Sequence, residues 1–175
     1  KNYVDHEVIN KAHEATSYLS YIIKYYDNLP DNMIFIHDEN ESWHHDGKIT
    51  DNIYNWINEY ENTNGYYEIN NTSMKSCHWC YTNIVYNELW NKLIKHKKLK
   101  DHKIDGKCCA QFIISKETVR SNSKEFYELF YNWLITNTNG EGNGDKKNLY
   151  SGYKTSRYSE WIWKVIFNKN IKKKV

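Results

Sequence analysis

The sequence predicts an α/β fold: a single domain with a small, mainly parallel sheet flanked by helices. Three observations lead there. Stretches with apolar residues at helical spacing alternate with short, unbroken apolar runs of buried-strand type, the pattern of strand–helix–strand units. A length of 175 residues suits one hydrophobic core. Aromatic residues make up 16% of the chain, so a mean hydropathy of -0.90 still leaves large side chains to bury. Residues 1–168 read as this domain and 169–175 as a basic C-terminal tail.

The first helix runs from Ala12 to Tyr26, where Ala15, Tyr18, Leu19, Ile22 and Ile23 recur at helical spacing and Asn10 stands at an N-cap position. The turn Asn28-Leu29-Pro30-Asp31 ends it, and Met33 to His37 follows as a buried strand. Thr50 or Asp51 caps a second helix carrying Ile53, Trp56, Ile57 and Tyr60, which Asn64-Gly65 closes. Tyr66 to Ile69 is a strand, Ile84 to Ile94 a third helix, and Ala110 to Ser115 a further strand. Phe126 to Leu134 marks a fourth helix, Asn137 to Gly144 a flexible link, and Tyr158 to Ile166 a last helix.

A net charge of +2 makes no electrostatic case for nucleic acid or a membrane surface. No apolar run reaches the roughly 20 residues that span a bilayer, and no charged-then-apolar leader opens the chain. The first residue is Lys1 and not Met, as in a processed protein or a fragment. Lys, Asn, Ile and Tyr together supply 79 of the 175 residues, the set AT-rich codons encode, as in a protist or large DNA virus. Such a bias exchanges Arg for Lys wherever a bare charge suffices, so the two survivors, Arg120 and Arg157, are candidates for a planar fork.

His37, His44 and His45 fall with several carboxylates just past the first strand, a place where α/β sheets put ligands, and they can bind a divalent cation or serve as acid and base. Cys77-x-x-Cys80 and Cys108-Cys109 leave three readings open: zinc, one or two disulfides, or free thiols. Sequons at Asn40, Asn70 and Asn71 matter only in a secretory setting. The lysines between Lys92 and Lys107 lack interleaved aromatics and read as a solvated face.

Several segments together resemble the family called domain of unknown function 3431. They are Asn10-x-x-x-Glu14-Ala15, Tyr18-Leu19-x-x-Ile22-Ile23-x-x-Tyr26-Asp27-x-Leu29-Pro30-Asp31, Phe35-Ile36-His37, Trp43-His44 and Gly65-Tyr66. Cys77 and Cys80, Cys108-Cys109-Ala110-Gln111-Phe112-Ile113-Ile114-Ser115, Tyr127 with Trp133-Leu134, and Arg157-x-x-Glu160-x-x-Trp163-x-x-Ile166-Phe167 complete the series in family order. The layout looks like that of GT-A type glycosyltransferases, an analogy at the level of fold.

That resemblance implies a glycosyltransferase-like protein taking a nucleotide-sugar donor and a glycan or glycoprotein acceptor. The alternative is a non-catalytic binding or structural module, for example in a viral particle. Glu14, His37, Arg157 and Glu160 are the candidate catalytic residues, with Arg157 or a divalent ion (Mn or Mg) at His37 and His44 meeting the departing diphosphate. Trp43, Gln111 and Trp163 are the candidate substrate contacts, and the resemblance keeps Cys77, Cys80, Cys108 and Cys109 together. A secretory lumen or a virus-associated setting would suit such a protein.

Overall fold

The structure is a computed structural model, and it describes residues 8–42, 45–70, 73–74, 84–94, 106–107, 110–140, 142 and 144–167. The chain forms α1 (Glu14–Tyr25), a 3-10 turn (Tyr26–Asn28), β1 (Asn32–Phe35), α2 (Ile49–Glu61), β2 (Tyr66–Glu68) and β3 (Ser73–Met74). Next come α3 (Ile84–Leu93), β4 (Gly106–Lys107), β5 (Phe112–Ser115), α4 (Lys116–Val119), α5 (Lys124–Asn137) and α6 (Gly152–Phe167). No helix among the described residues is long and apolar enough to cross a membrane.

The sheet corrects the expected topology. Its order is β1-β5-β2, and β5 runs antiparallel to both neighbours, pairing Met33 with Ile114 on one side and Tyr67 with Ile113 on the other. β1 and β2 therefore point the same way, joined by α2, with β5 filling the slot between them. This is a split strand–helix–strand unit. Alternating strands and helices announced the crossover, but nothing in the alternation fixes the direction of a strand inserted later in the chain. A mainly parallel sheet, and the GT-A scaffold built on one, is not what these strands form. β3 and β4 pair as a separate two-stranded ribbon, which the sequence pattern did not predict.

β5 is central because both of its faces are covered. All four of its residues are buried, giving the continuous apolar run of a strand packed on two sides. Phe112 and Ile114 join the main core with α1, α3, α5 and α6. Ile113 points the other way, into a smaller cluster with Ile49 and Trp56 of α2 and with Ile69. Rings dominate the main core: Trp163 stacks on Phe167 with centroids 5.6 Å apart, and both lie against Phe112.

Local chemistry explains the joints. Ser115 and Ser123 accept hydrogen bonds from Thr118 N–H and Phe126 N–H, capping α4 and α5. Gly65, at φ +84°, turns the chain out of α2, and a Cβ there would lie 2.6 Å from Ser115 Oγ. Arg120 uses its fork structurally, donating from Nε and Nη2 to the carbonyls of Tyr26 and Asp27 at the end of the 3-10 turn.

Three helix starts differ from expectation, and the first is α2: it begins at Ile49 with Lys48 at the N-cap, so Thr50 and Asp51 lie inside the helix. α1 starts at Glu14, and its N-cap is His13, without a side-chain cap, in place of Asn10. α6 starts at Gly152, six residues before Tyr158. The described part of the expected flexible link is packed: Gly142 N–H donates to Asn10 O, and Asn139 N–H donates to Tyr150 O. Gly152 allows this, since a Cβ there would stand 1.8 Å from the Gly142 carbonyl oxygen.

Candidate functional site

Two helices and one strand end build a cleft of about 850 Å³. From the start of α1 come Asn10, His13, Glu14, Ser17 and Tyr18. From α6 come Tyr153, Ser156, Arg157 and Glu160. The chain leaving β1 adds His37, Asp38 and Glu39. Both helical sets recur every three or four residues, so each forms one polar stripe on a helix whose other faces are largely buried. The α6 stripe continues to Lys164, which ion-pairs with Glu68 at 3.1 Å.

Glu14, His37 and the Arg157–Glu160 pair, from three separate segments of the chain, thus line one cleft. Burial pushes the Glu14 carboxyl up from 4.5 to about 7, against its own backbone N–H and the Arg157 charge, which pull it down. Glu160 is likewise raised to about 7, first by burial and then by the charge of Glu14, with Arg157 opposing. Two carboxyls that repel each other in one cleft titrate as a pair. Burial pulls the His37 imidazole below its ordinary value despite Asp38 and Glu39, favouring its neutral form.

Arg157 is braced by an aromatic face, with its guanidinium carbon 4.5 Å from the centroid of Tyr153. It forms no ion pair with any described carboxylate within 4.0 Å, so its donors remain directed at the cleft. The backbone that delivers Glu14 is strained: Ala12 has φ 54° and His13 φ 51°, both left-handed and neither a glycine. The fully buried Thr16 hydroxyl holds that bend, within reach of the carbonyls of Ile9, Lys11 and His13. Lys11 Nζ adds a hydrogen bond to Ile135 O at 2.9 Å.

Two expected substrate contacts are corrected. Gln111 is fully buried and faces protein: its Oε1 accepts from His37 N–H at 3.0 Å and its Nε2 donates to Asn70 Oδ1 at 3.1 Å. It fixes the end of β1, so it positions His37 without touching the cleft. Trp163 is fully buried, sealed between the rings of Phe130 and Phe167. Its size and its place one turn past Glu160 fit the core better than a cleft.

Trp43, His44, Cys77, Cys80, Cys108 and Cys109 lie outside the described residues. Of the expected metal pair only His37 is described, and among the described residues no three His, Cys, Asp or Glu side chains are grouped to hold an ion. Asn70 is fully buried and its amide donates to Gln111 O, so this sequon is closed to glycosylation in the folded protein. Asn40 caps α2, its Oδ1 accepting from Thr50 N–H.

Sequence reasoning missed Tyr18 and Tyr153, and pointed to Asp38 and Glu39 only as carboxylates of the polar segment after the first strand. A spacing signal existed for the two tyrosines: Tyr18 stands four residues after Glu14, and Tyr153 four before Arg157, so each shares its partner's helix face. No curated protein and no solved structure matches the chain. The family model described as Protein of unknown function (DUF3431) matches residues 2–174, nearly the whole length. The chain belongs to this family.

Proposed function

We propose that the protein is an acid–base enzyme of the glycosyltransferase type, moving a sugar from a nucleotide-sugar donor to a glycan or glycoprotein acceptor. One observation carries the reading: Glu14 and Glu160, from two different helices, face one polar cleft and are both raised to about 7. A general acid or base works best when its pKa lies near the operating pH. A structural carboxylate paired to an arginine is pushed the other way.

Glycosyl transfer makes use of Glu14, His37, Arg157 and Glu160. The acceptor oxygen forms its bond to the anomeric carbon as its proton passes to the ionised member of the pair. We assign that role to Glu160. The bond from the anomeric carbon to the diphosphate oxygen breaks at the same time. Arg157, held planar on Tyr153, supplies two N–H donors to the leaving phosphate, and protonated Glu14 supplies an O–H. Neutral His37 offers one donor and one acceptor to a sugar hydroxyl. The chemistry is retained on a split, antiparallel sheet in place of the parallel one expected for GT-A enzymes.

The test is release of nucleoside diphosphate from a panel of nucleotide sugars, with simple sugars as acceptors and with and without Mn²⁺. At least one donor should turn over, with a bell-shaped pH profile centred near 7. Glu160→Gln should lower the rate about 100-fold or more, within the range that general base removal costs. If no nucleotide sugar is turned over and none raises the melting temperature, the reading fails and the cleft belongs to a binding module.

A further inference from the structure

Charges in the cleft do not balance. Glu14 and Glu160 face it from α1 and α6, Asp38 and Glu39 from the chain after β1, and Arg157 is the sole guanidinium or ammonium among the described lining residues. The remaining titratable groups around the pair are His13 and Tyr18 from α1, His37 after β1 and Tyr153 from α6. Lys146 and Lys154 approach the Tyr153 ring at 4.9 and 5.7 Å but do not line the cleft.

A second observation is independent of the acids. Tyr18 is only 7% exposed, and its hydroxyl is buried in the cleft wall with no hydrogen-bond partner among the described residues. Leaving a buried hydroxyl unpartnered is costly. Its ring packs on Phe35 and Phe112 of the core, and the charges of Glu14 and Asp38 both act on its hydroxyl.

We infer that the cleft binds a ligand bearing a primary ammonium, such as an amino sugar, with that ammonium seated between Glu14 and Glu160 and against the Tyr18 oxygen. An ammonium carries three donors and no acceptor, whereas ionised carboxylates accept only. Tyr18 can accept through its oxygen. The second positive charge supplies what Arg157 alone does not, and it displaces the proton that the pair holds near neutral pH. As an acceptor class the inference rests on the transferase reading, with Arg157 and not a protonated Glu14 then facing the leaving phosphate; as a binding site it is measured without any transfer.

The probes are 6-amino-6-deoxy-D-glucose and D-glucose, titrated onto the full chain by NMR at pH 6 and pH 8. The amino sugar should bind at least tenfold tighter than glucose at pH 8, lose that advantage at pH 6, and release protons on binding at pH 7. In Glu160→Gln the preference should disappear, and Tyr18→Phe should weaken the amino sugar several-fold without changing its pH dependence. Equal binding of the two sugars at pH 8, tighter amino-sugar binding at pH 6, or binding of neither sugar would overturn the inference. Donor turnover with a neutral acceptor in the same preparation would then show that the transferase reading survives alone.

Discussion

Glu160 carries opposite consequences for stability and for activity. Its carboxyl is raised in the folded protein from 4.5 to about 7, so the folded state holds a proton that the unfolded chain has lost between those values. Stability is therefore greatest below 4.5 and falls as pH rises through about 7. At about 1.4 kcal/mol per pH unit, ionising this buried group costs roughly 3 kcal/mol at pH 8. Glu160→Gln removes that cost and should raise stability by about 1–3 kcal/mol at pH 8, with little gain at pH 4. Denaturant melts at the two pH values check it. A loss of stability at pH 8 would mean that the carboxylate is a structural partner of Arg157.

Gln111 makes the contrasting case, a residue whose effect on the site is indirect. Gln111→Leu keeps the volume but strands His37 N–H and the Asn70 amide, at about 1–3 kcal/mol per orphaned group. It should lower the melting temperature and shift the His37 imidazole resonances. A variant with wild-type stability and unshifted imidazole signals would show that the buried amide pair does not position the strand end.

At the scale of elements, the cleft depends on how α1 and α6 begin. The strained bend at Ala12 and His13 and the contact of Gly142 with Gly152 brace the two helix starts against each other. Gly152→Ala would drive a Cβ against a backbone carbonyl at 1.8 Å, so something must shift, and a loss of about 2 kcal/mol or more is expected. Gly140→Ala is the control: a Cβ there would meet no atom within 4 Å, and its φ of +73° costs about 1 kcal/mol. Urea melts of the two variants should separate them, and equal losses would contradict the packing account.

Element existence was readable because amphipathic periodicity is a local property: α1, α2, α3, α5 and α6 and the three strands of the main sheet all lie where apolar spacing put them. The starts of α1 and α6 were not. Asn10 looked like a cap, yet its carbonyl is taken by Gly142 from more than a hundred residues away. The turns before Tyr158 are helical because Gly152, Thr155 and Ser156 pack as small buried residues, which carry no apolar signal.

At the scale of the molecule, strand direction is a long-range property. β5 enters between β1 and β2 after most of the chain has gone by, and its four buried residues would read the same in either direction. The same distinction governs the site. Arg157 stood out as one of two arginines in a lysine-rich chain, and Glu14 and Glu160 stood out through the segments that resemble the family. Gln111 and Trp163 also stood out in sequence, yet only three-dimensional packing separates a buried amide or indole from one that lines a cleft. The mutual repulsion of Glu14 and Glu160 exists only once α1 and α6 are side by side.

The two raised carboxyls underlie everything proposed for the cleft, and they are directly measurable. With glutamate labelled at its side-chain carboxyl carbon, each resonance can be followed from pH 3 to pH 9 and assigned by its loss in Glu14→Gln and Glu160→Gln. The two carboxyls should each titrate near 7, and Glu14→Gln should lower the Glu160 value while burial keeps it above the ordinary range. Two carboxyls that both titrate between about 4 and 5, unaffected by each other's substitution, would contradict the account.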